Sequence, residues 1–291
     1  MKHTKKSGAR GLLVISMAVF GTLALFTRNI AVTSGELALY RAILAAGLIT
    51  LYLLATRQRI DFSAIRKEAP LLLLSGVAMG INWILLFEAY RYTTVSAATL
   101  SYYFAPVIVT VVCPLLFHER LTRKQVLCFV MSTLGLVLII GVGEMGDGGT
   151  DLMGICFGLG AAVFYAAVIL LNKFIKGVAG IHRTLLQFLA AIVTLLPYVA
   201  VTSGFHPEVL DSLGWACLLT VGLLHTGVTY CLYFSALKDL SGQEAAILSY
   251  IDPLVAVLVS VLILHEGMTP LQVLGGAMIL GFTLWNEWGE A

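Results

Sequence analysis

Asp252 is a carboxylate set midway along an apolar run, and Pro253 follows it directly. A charge at the centre of a bilayer costs about 3 kcal/mol even on insertion scales, and the proline removes a backbone donor at the same place. A polar cavity is therefore expected around Asp252. The chemistry it offers is recognition of a cation, either a substrate amine or a proton; an aspartate buried in ordinary hydrogen bonds is the alternative. Arg41 is a second charge inside an apolar run, with Glu36 five residues before it and Glu88 at the end of the third run as candidate partners. It reads either as an anchor at the outer interface or as a cavity residue.

Around these charges the apolar runs carry Asn82 and Trp83, Ser101, Tyr102 and Tyr103, then His225, Tyr230, Ser249 and Tyr250, with Asn172 in the sixth run. Aromatic rings and hydroxyls with few charges suit a small zwitterion or an aromatic metabolite, held by stacking, cation–π contact and a few hydrogen bonds. His225 reads equally as a proton site and as a packing histidine. Tyr90 and Tyr92, at a run's end, fit an interfacial aromatic belt.

Other patterns resolve against chemistry. His118-Glu119 and His265-Glu266 begin like HExxH, but Thr122 and Thr269 stand where the second histidine would be, so no zinc site follows. Glu119 and Glu266 then read as structural or gating charges in helical hairpins, with Thr122 and Thr269 as N-caps. GVGEMG at 141–146 matches a dinucleotide fingerprint in letters only, because an apolar helix and not a strand precedes it. The five cysteines are scattered in apolar runs with no CxxC spacing, which implies packing, neither disulfide nor metal. No Walker A motif is present, and no cofactor or nucleic-acid partner is indicated.

The elements that must position these residues are membrane helices. The chain is 59% hydrophobic and 12% charged, against about 25% charged in soluble domains. Ten apolar stretches are long enough to cross about 30 Å of hydrocarbon, near 11–27, 36–56, 69–90, 94–117, 123–142, 152–172, 183–202, 212–236, 243–264 and 269–286. The lipid bilayer is thus the first partner. Of 18 Lys and Arg, fifteen fall in the amino-terminal segment and alternate loops on its side, two (Arg28 and Arg91) on the other, and Arg41 within a span. That asymmetry places both termini in the cytoplasm and the chain in an inner or plasma membrane.

Shifted by 147 positions, the chain matches itself: Phe87 meets Phe234, Tyr103 meets Tyr250, Pro106 meets Pro253, and HERLT at 118–122 meets HEGMT at 265–269. This is an internal duplication, with units at 1–145 and 146–291. Each unit holds five spans, an odd number, so the second enters the membrane inverted, which is the architecture of alternating access. Pro106 and Pro253 fall near the middle of the fourth and ninth spans, where they are expected to kink both helices as hinges facing a substrate. Gly76/Gly80 and Gly154/Gly158 are small-residue pairs for close helix contact.

Phe20-Gly21-Thr22, LALYRAILAA at 37–46, APVIVTVVCPLLFHERLT and DPLVAVLVSVLILHEGMT together resemble the drug/metabolite transporter superfamily, in particular its EamA-type exporters, across nearly the whole chain. The resemblance implies an all-α integral membrane fold of ten helices in two inverted five-helix repeats. It also implies export of a small-molecule substrate, amino acids (aromatic or neutral) foremost, without enzymatic activity. Proton coupling through Asp252 or His225 and uncoupled movement fit equally, and the oligomeric state is left open. Cationic drugs, sugars or nucleotide sugars are the rival substrates. A membrane enzyme acting on lipids is the rival class, disfavoured because carboxylates and histidines do not cluster.

Overall fold

The computed structural model describes residues 2–57, 62–93, 98, 101–117, 122–140, 149–178, 180–263 and 270–287, and these form helices joined by short turns and loops, with no strand among them. In chain order the helices are α1 (Lys2–Gly21), α2 (Leu23–Thr27), α3 (Ser34–Ala55), α4 (Phe62–Tyr92), α5 (Ala105–Phe117), α6 (Arg123–Ile140), α7 (Gly149–Phe174), α8 (Gly180–Thr202), α9 (Ser212–Thr220), α10 (Thr229–Leu237), α11 (Gly242–Leu248), α12 (Ile251–Leu262) and α13 (Pro270–Glu287). Val221–Val228 joins α9 to α10 as a π-helical stretch.

Six of these stretches are long and apolar enough to cross a membrane. The count falls below ten partly because the fourth and ninth runs are interrupted, and their prolines explain how. Pro106 and Pro253 do not kink continuous helices; they stand in the first turns of α5 and α12, just after a break. Proline lacks the donor that an interior helical turn needs and disfavours helix in the residue before it, whereas a first turn has spare donors anyway. At each break the backbone tightens into three-residue turns: Phe104 N–H donates to Ser101 O at 3.2 Å, and Tyr250 N–H to Ile247 O at 3.2 Å.

Local signals start several helices. Thr33 and Glu36 form a capping box at α3, and Ser241 and Glu244 form another at α11. Thr122 and Gln125 exchange the same pair of bonds before α6, at 3.0 and 3.1 Å. Glu119 and Glu266, with their histidines and Thr269, lie outside the described residues.

Packing is closest where side chains are absent. Gly76 and Gly80 on α4 leave no room for a methyl group beside Gln187 and Thr194 of α8, and Gly154 and Gly158 bring α7 onto Thr93 and Ser101. The contacts come in matched pairs: α4 on α7 and α10 on α1, α4 on α8 and the π stretch on α3, α5 on α7 and α12 on α1. Two further contacts set α6 on α13 and α3 on α8, elements that the 147-residue shift brings into register.

Candidate functional site

Four interruptions meet near the centre of the bundle: the turn at Thr22 between α1 and α2, the breaks before α5 and α12, and the π stretch. Lines of unsatisfied backbone are tolerated at membrane depth only where they adjoin protein or a cavity. Gly21 is the reason α1 can lean on the second break, since a methyl group there would stand 2.6 Å from the Asp252 carbonyl oxygen.

An aromatic cluster fills the space between. Tyr230 of α10 packs on Phe20 (5.0 Å between ring centroids), Phe188 (5.5 Å), Phe234 (5.5 Å) and Trp83 (6.3 Å). Tyr102 stacks on Tyr165 at 5.3 Å and meets Tyr103 at 5.6 Å, while the Tyr165 and Tyr233 hydroxyls lie 3.2 Å apart. Each wall carries one charge. The Arg41 guanidinium lies over the Trp83 ring, 4.1 Å from its centroid, and Asp252 accepts a hydrogen bond from the Tyr103 hydroxyl at 2.8 Å.

Neither charge has an ionic partner among the described residues. The Arg41 Nε is enclosed and unpartnered. Glu36 is taken by its own capping box, by the Tyr40 hydroxyl (3.2 Å) and by the His206 N–H (2.6 Å); Glu88 is taken by Tyr198 (2.5 Å) and Arg91 (2.9 Å). The expected pairing of Arg41 with Glu36 or Glu88 is thus corrected, because both carboxylates are already saturated. A desolvated cation–π contact supplies about 2 kcal/mol, less than the cost of a charge at membrane depth, so an anion brought to Arg41 would be stabilised.

Other expected site residues stand elsewhere. Asn82 donates to the Ala161 carbonyl at 2.6 Å and ties α4 to α7. Ser101 is buried against Gly158. The Ser249 hydroxyl donates back to Ala245 O at 2.7 Å, and Tyr250 turns away from the cluster to meet Thr133 of α6 at 2.7 Å. His225 sits in the π stretch, 3.0 Å from the Thr22 hydroxyl and edge-on to Phe26 at 5.0 Å, bracing α2. Asn172 joins Ser75 at 3.1 Å and Gln187 at 3.1 Å in a buried network remote from the aromatic rings. Tyr92 packs on Phe157.

Sequence reasoning missed Phe20 as a ring contact, Tyr165 and Tyr233, because tyrosines and phenylalanines inside apolar runs carry no mark of which face they occupy. It also missed Arg183, which donates to the carbonyls of Asn172 (3.3 Å), Ile175 (2.6 Å) and Val178 (3.3 Å) and so closes the end of α7. No group of three His, Cys, Asp or Glu able to hold a metal occurs among the described residues.

Six helices long and apolar enough to cross a bilayer, packed around a polar-tipped aromatic centre, make this a multi-pass membrane protein. Residues 9–141 and again 152–286 match the EamA-like transporter family, and the chain belongs to that family within the drug/metabolite transporter superfamily. It is 30% identical over 297 residues to the uncharacterized transporter YxxF of Bacillus subtilis (strain 168), covering 99% of this chain and 93% of the relative. An uncharacterized transporter of Archaeoglobus fulgidus is 27% identical over 282 residues, covering 94% and 95%. Protein PecM of Dickeya dadantii (strain 3937) is 23% identical over 211 residues, covering 72% and 70%. A crystal structure superimposes with a TM-score of 0.82 at 18% identity, covering 94% of this chain and 95% of that one, which establishes likeness of fold.

Proposed function

We propose that this transporter exports amino acids, aromatic or neutral, through the aromatic cavity between Arg41 and Asp252. The observation that carries the reading is that one charge of each sign, neither ion-paired among the described residues, faces the same cluster of rings. An amino acid presents a carboxylate and an ammonium on one carbon, and it would neutralise both walls at once. Its side chain would then lie against Tyr230, Tyr165 and Tyr233, where stacked aromatic pairs contribute about 1 kcal/mol beyond burial. A sugar would leave both charges unpaired. A cationic drug would satisfy Asp252 but add a second positive charge near Arg41.

Movement follows from the duplication. Ten spans in two inverted five-helix repeats, at 1–145 and 146–291, would expose the cavity to one side and then the other. The matched contact pairs support this architecture, as does the family's double match. The distribution of Lys and Arg supports cytoplasmic termini in the inner membrane. Pro106 and Pro253, each just beyond a break, serve as hinges.

Proteoliposomes loaded with labelled phenylalanine, tryptophan, threonine, a sugar or a quaternary ammonium dye, with and without a pH gradient, test the reading. Saturable amino-acid flux that Asp252→Asn reduces is the expected result, and the response to the gradient reports whether Asp252 also carries a proton. Flux of the dye alone would replace the reading with drug export, and flux of the sugar alone would exclude the zwitterion model.

A further inference from the structure

A buried ion pair far from the aromatic rings joins the first helix to the second broken helix. Arg10 of α1 donates from Nε and Nη2 to one oxygen of Glu244 on α11, at 3.2 and 2.6 Å. The Glu244 side chain is only 2% exposed, and that of Arg10 18%. The other oxygen of Glu244 accepts the Ser241 N–H at 3.1 Å, so the carboxylate is fixed by its own helix start before Arg10 reaches it.

Beside the pair, α11 presses on α5. Gly242 leaves no space for even a methyl group next to Cys113 Sγ, and Cys113 is fully buried. Helix α11 is only seven residues long, buried along its whole length, and ends at the break of Ser249 and Tyr250. The ion pair grips its start, and its far end meets the break.

We propose that Arg10 and Glu244 form the latch of a cytoplasmic gate, and that opening swings α11 away from α5 and α1. The assignment to the cytoplasmic side rests on the orientation proposed above. The residue 147 positions before Glu244 is Ala97, so the sequence does not repeat this ion pair at the corresponding position of the first half. Breaking the pair therefore shifts the protein toward the inward-open form.

Cys113 is a native reporter of that swing. Wild-type protein in membranes is treated with N-ethylmaleimide and the modification of Cys113 is followed by mass spectrometry, beside Arg10→Gln and Glu244→Gln. Glutamine at 244 keeps the capping box, since its side-chain oxygen still accepts the Ser241 N–H, so the helix start survives loss of the charge. Both variants are expected to label about tenfold faster than wild type, a population shift of the size one coupled contact commands. Gly242→Ala should do the same with the ion pair intact, by wedging α11 off Cys113.

Unchanged labelling in both charge variants, each eluting as a folded monodisperse protein, would overturn the latch. Faster labelling of Gly242→Ala alone would also overturn it, locating closure in packing without the ion pair. Failure of the wild type to move any amino acid would sink the transport reading instead, and the labelling comparison would still decide the latch.

Discussion

Two arginines are drawn into this apolar bundle, and the chain treats them oppositely. Arg183 is fully buried, with three backbone carbonyls at the end of α7 within reach of its donors. Arg41 rests on the face of Trp83, with no carboxylate of the described residues paired to it. The first is spent on the fold: orphan carbonyls at a helix end need donors, and a guanidinium fork supplies several at once. The second keeps its charge available. On Tyr230, the residue matching Trp83 in the second half, it is Phe188 that packs, so the guanidinium breaks what is otherwise a ring-on-ring pairing.

On that contrast, the two arginines fail differently. Arg183→Ala should strand three carbonyls and cost several kcal/mol, lowering the thermal midpoint in detergent by about 10 °C with little folded protein recovered at 37 °C. Arg41→Met should leave the midpoint within about 2 °C of wild type yet cut amino-acid flux about 100-fold, as expected for removing the partner of a buried carboxylate. Equal losses of folded yield in both would erase the distinction. Arg41→Lys sharpens it: the charge stays but the planar stack and fork are lost, and about a tenfold fall in flux is expected. Tyr103→Phe removes one hydrogen bond to Asp252, and flux should fall several-fold while the corresponding Tyr250→Phe, whose hydroxyl meets Thr133, changes it little.

The smallest effect belongs to the exposed loop between α8 and α9. The His206 imidazole is raised above its ordinary 6.5 by Glu208 and by the Ser203 carbonyl. A raised folded value stabilises below the unfolded one and loses that contribution as pH climbs past the folded value. Stability of the wild type should thus slip slightly as pH rises above 6.5, and His206→Gln should flatten the slope in thermal melts at low salt.

Much of this was legible in the residues. Thr122 read as an N-cap, and α6 starts just after it with Gln125 closing the box. Asp252 called for polar surroundings, and the Tyr103 hydroxyl supplies part of them. What the letters could not carry was partnership across the bundle. Nothing near Arg41 in sequence points to Trp83 42 positions on, and Glu36, five residues before it, was a natural suitor until its own capping box claimed it. The prolines misled for a related reason: a proline inside a long apolar run reads as a bend, and whether the backbone bends or parts depends on the tertiary support around it.

The π stretch carries a last consequence. Its wide turns are pinned by Thr226 and Thr229, whose hydroxyls donate to carbonyls five residues back at 2.8 and 2.9 Å. A π turn is an α-helix holding one surplus residue. Sliding that surplus by a single step would rotate the side chains it passes by about 100° while leaving both ends of the helix in place. His225 lies within that stretch, so the angular phase of one histidine can be reset without lengthening, tilting or unseating the rod that bears it.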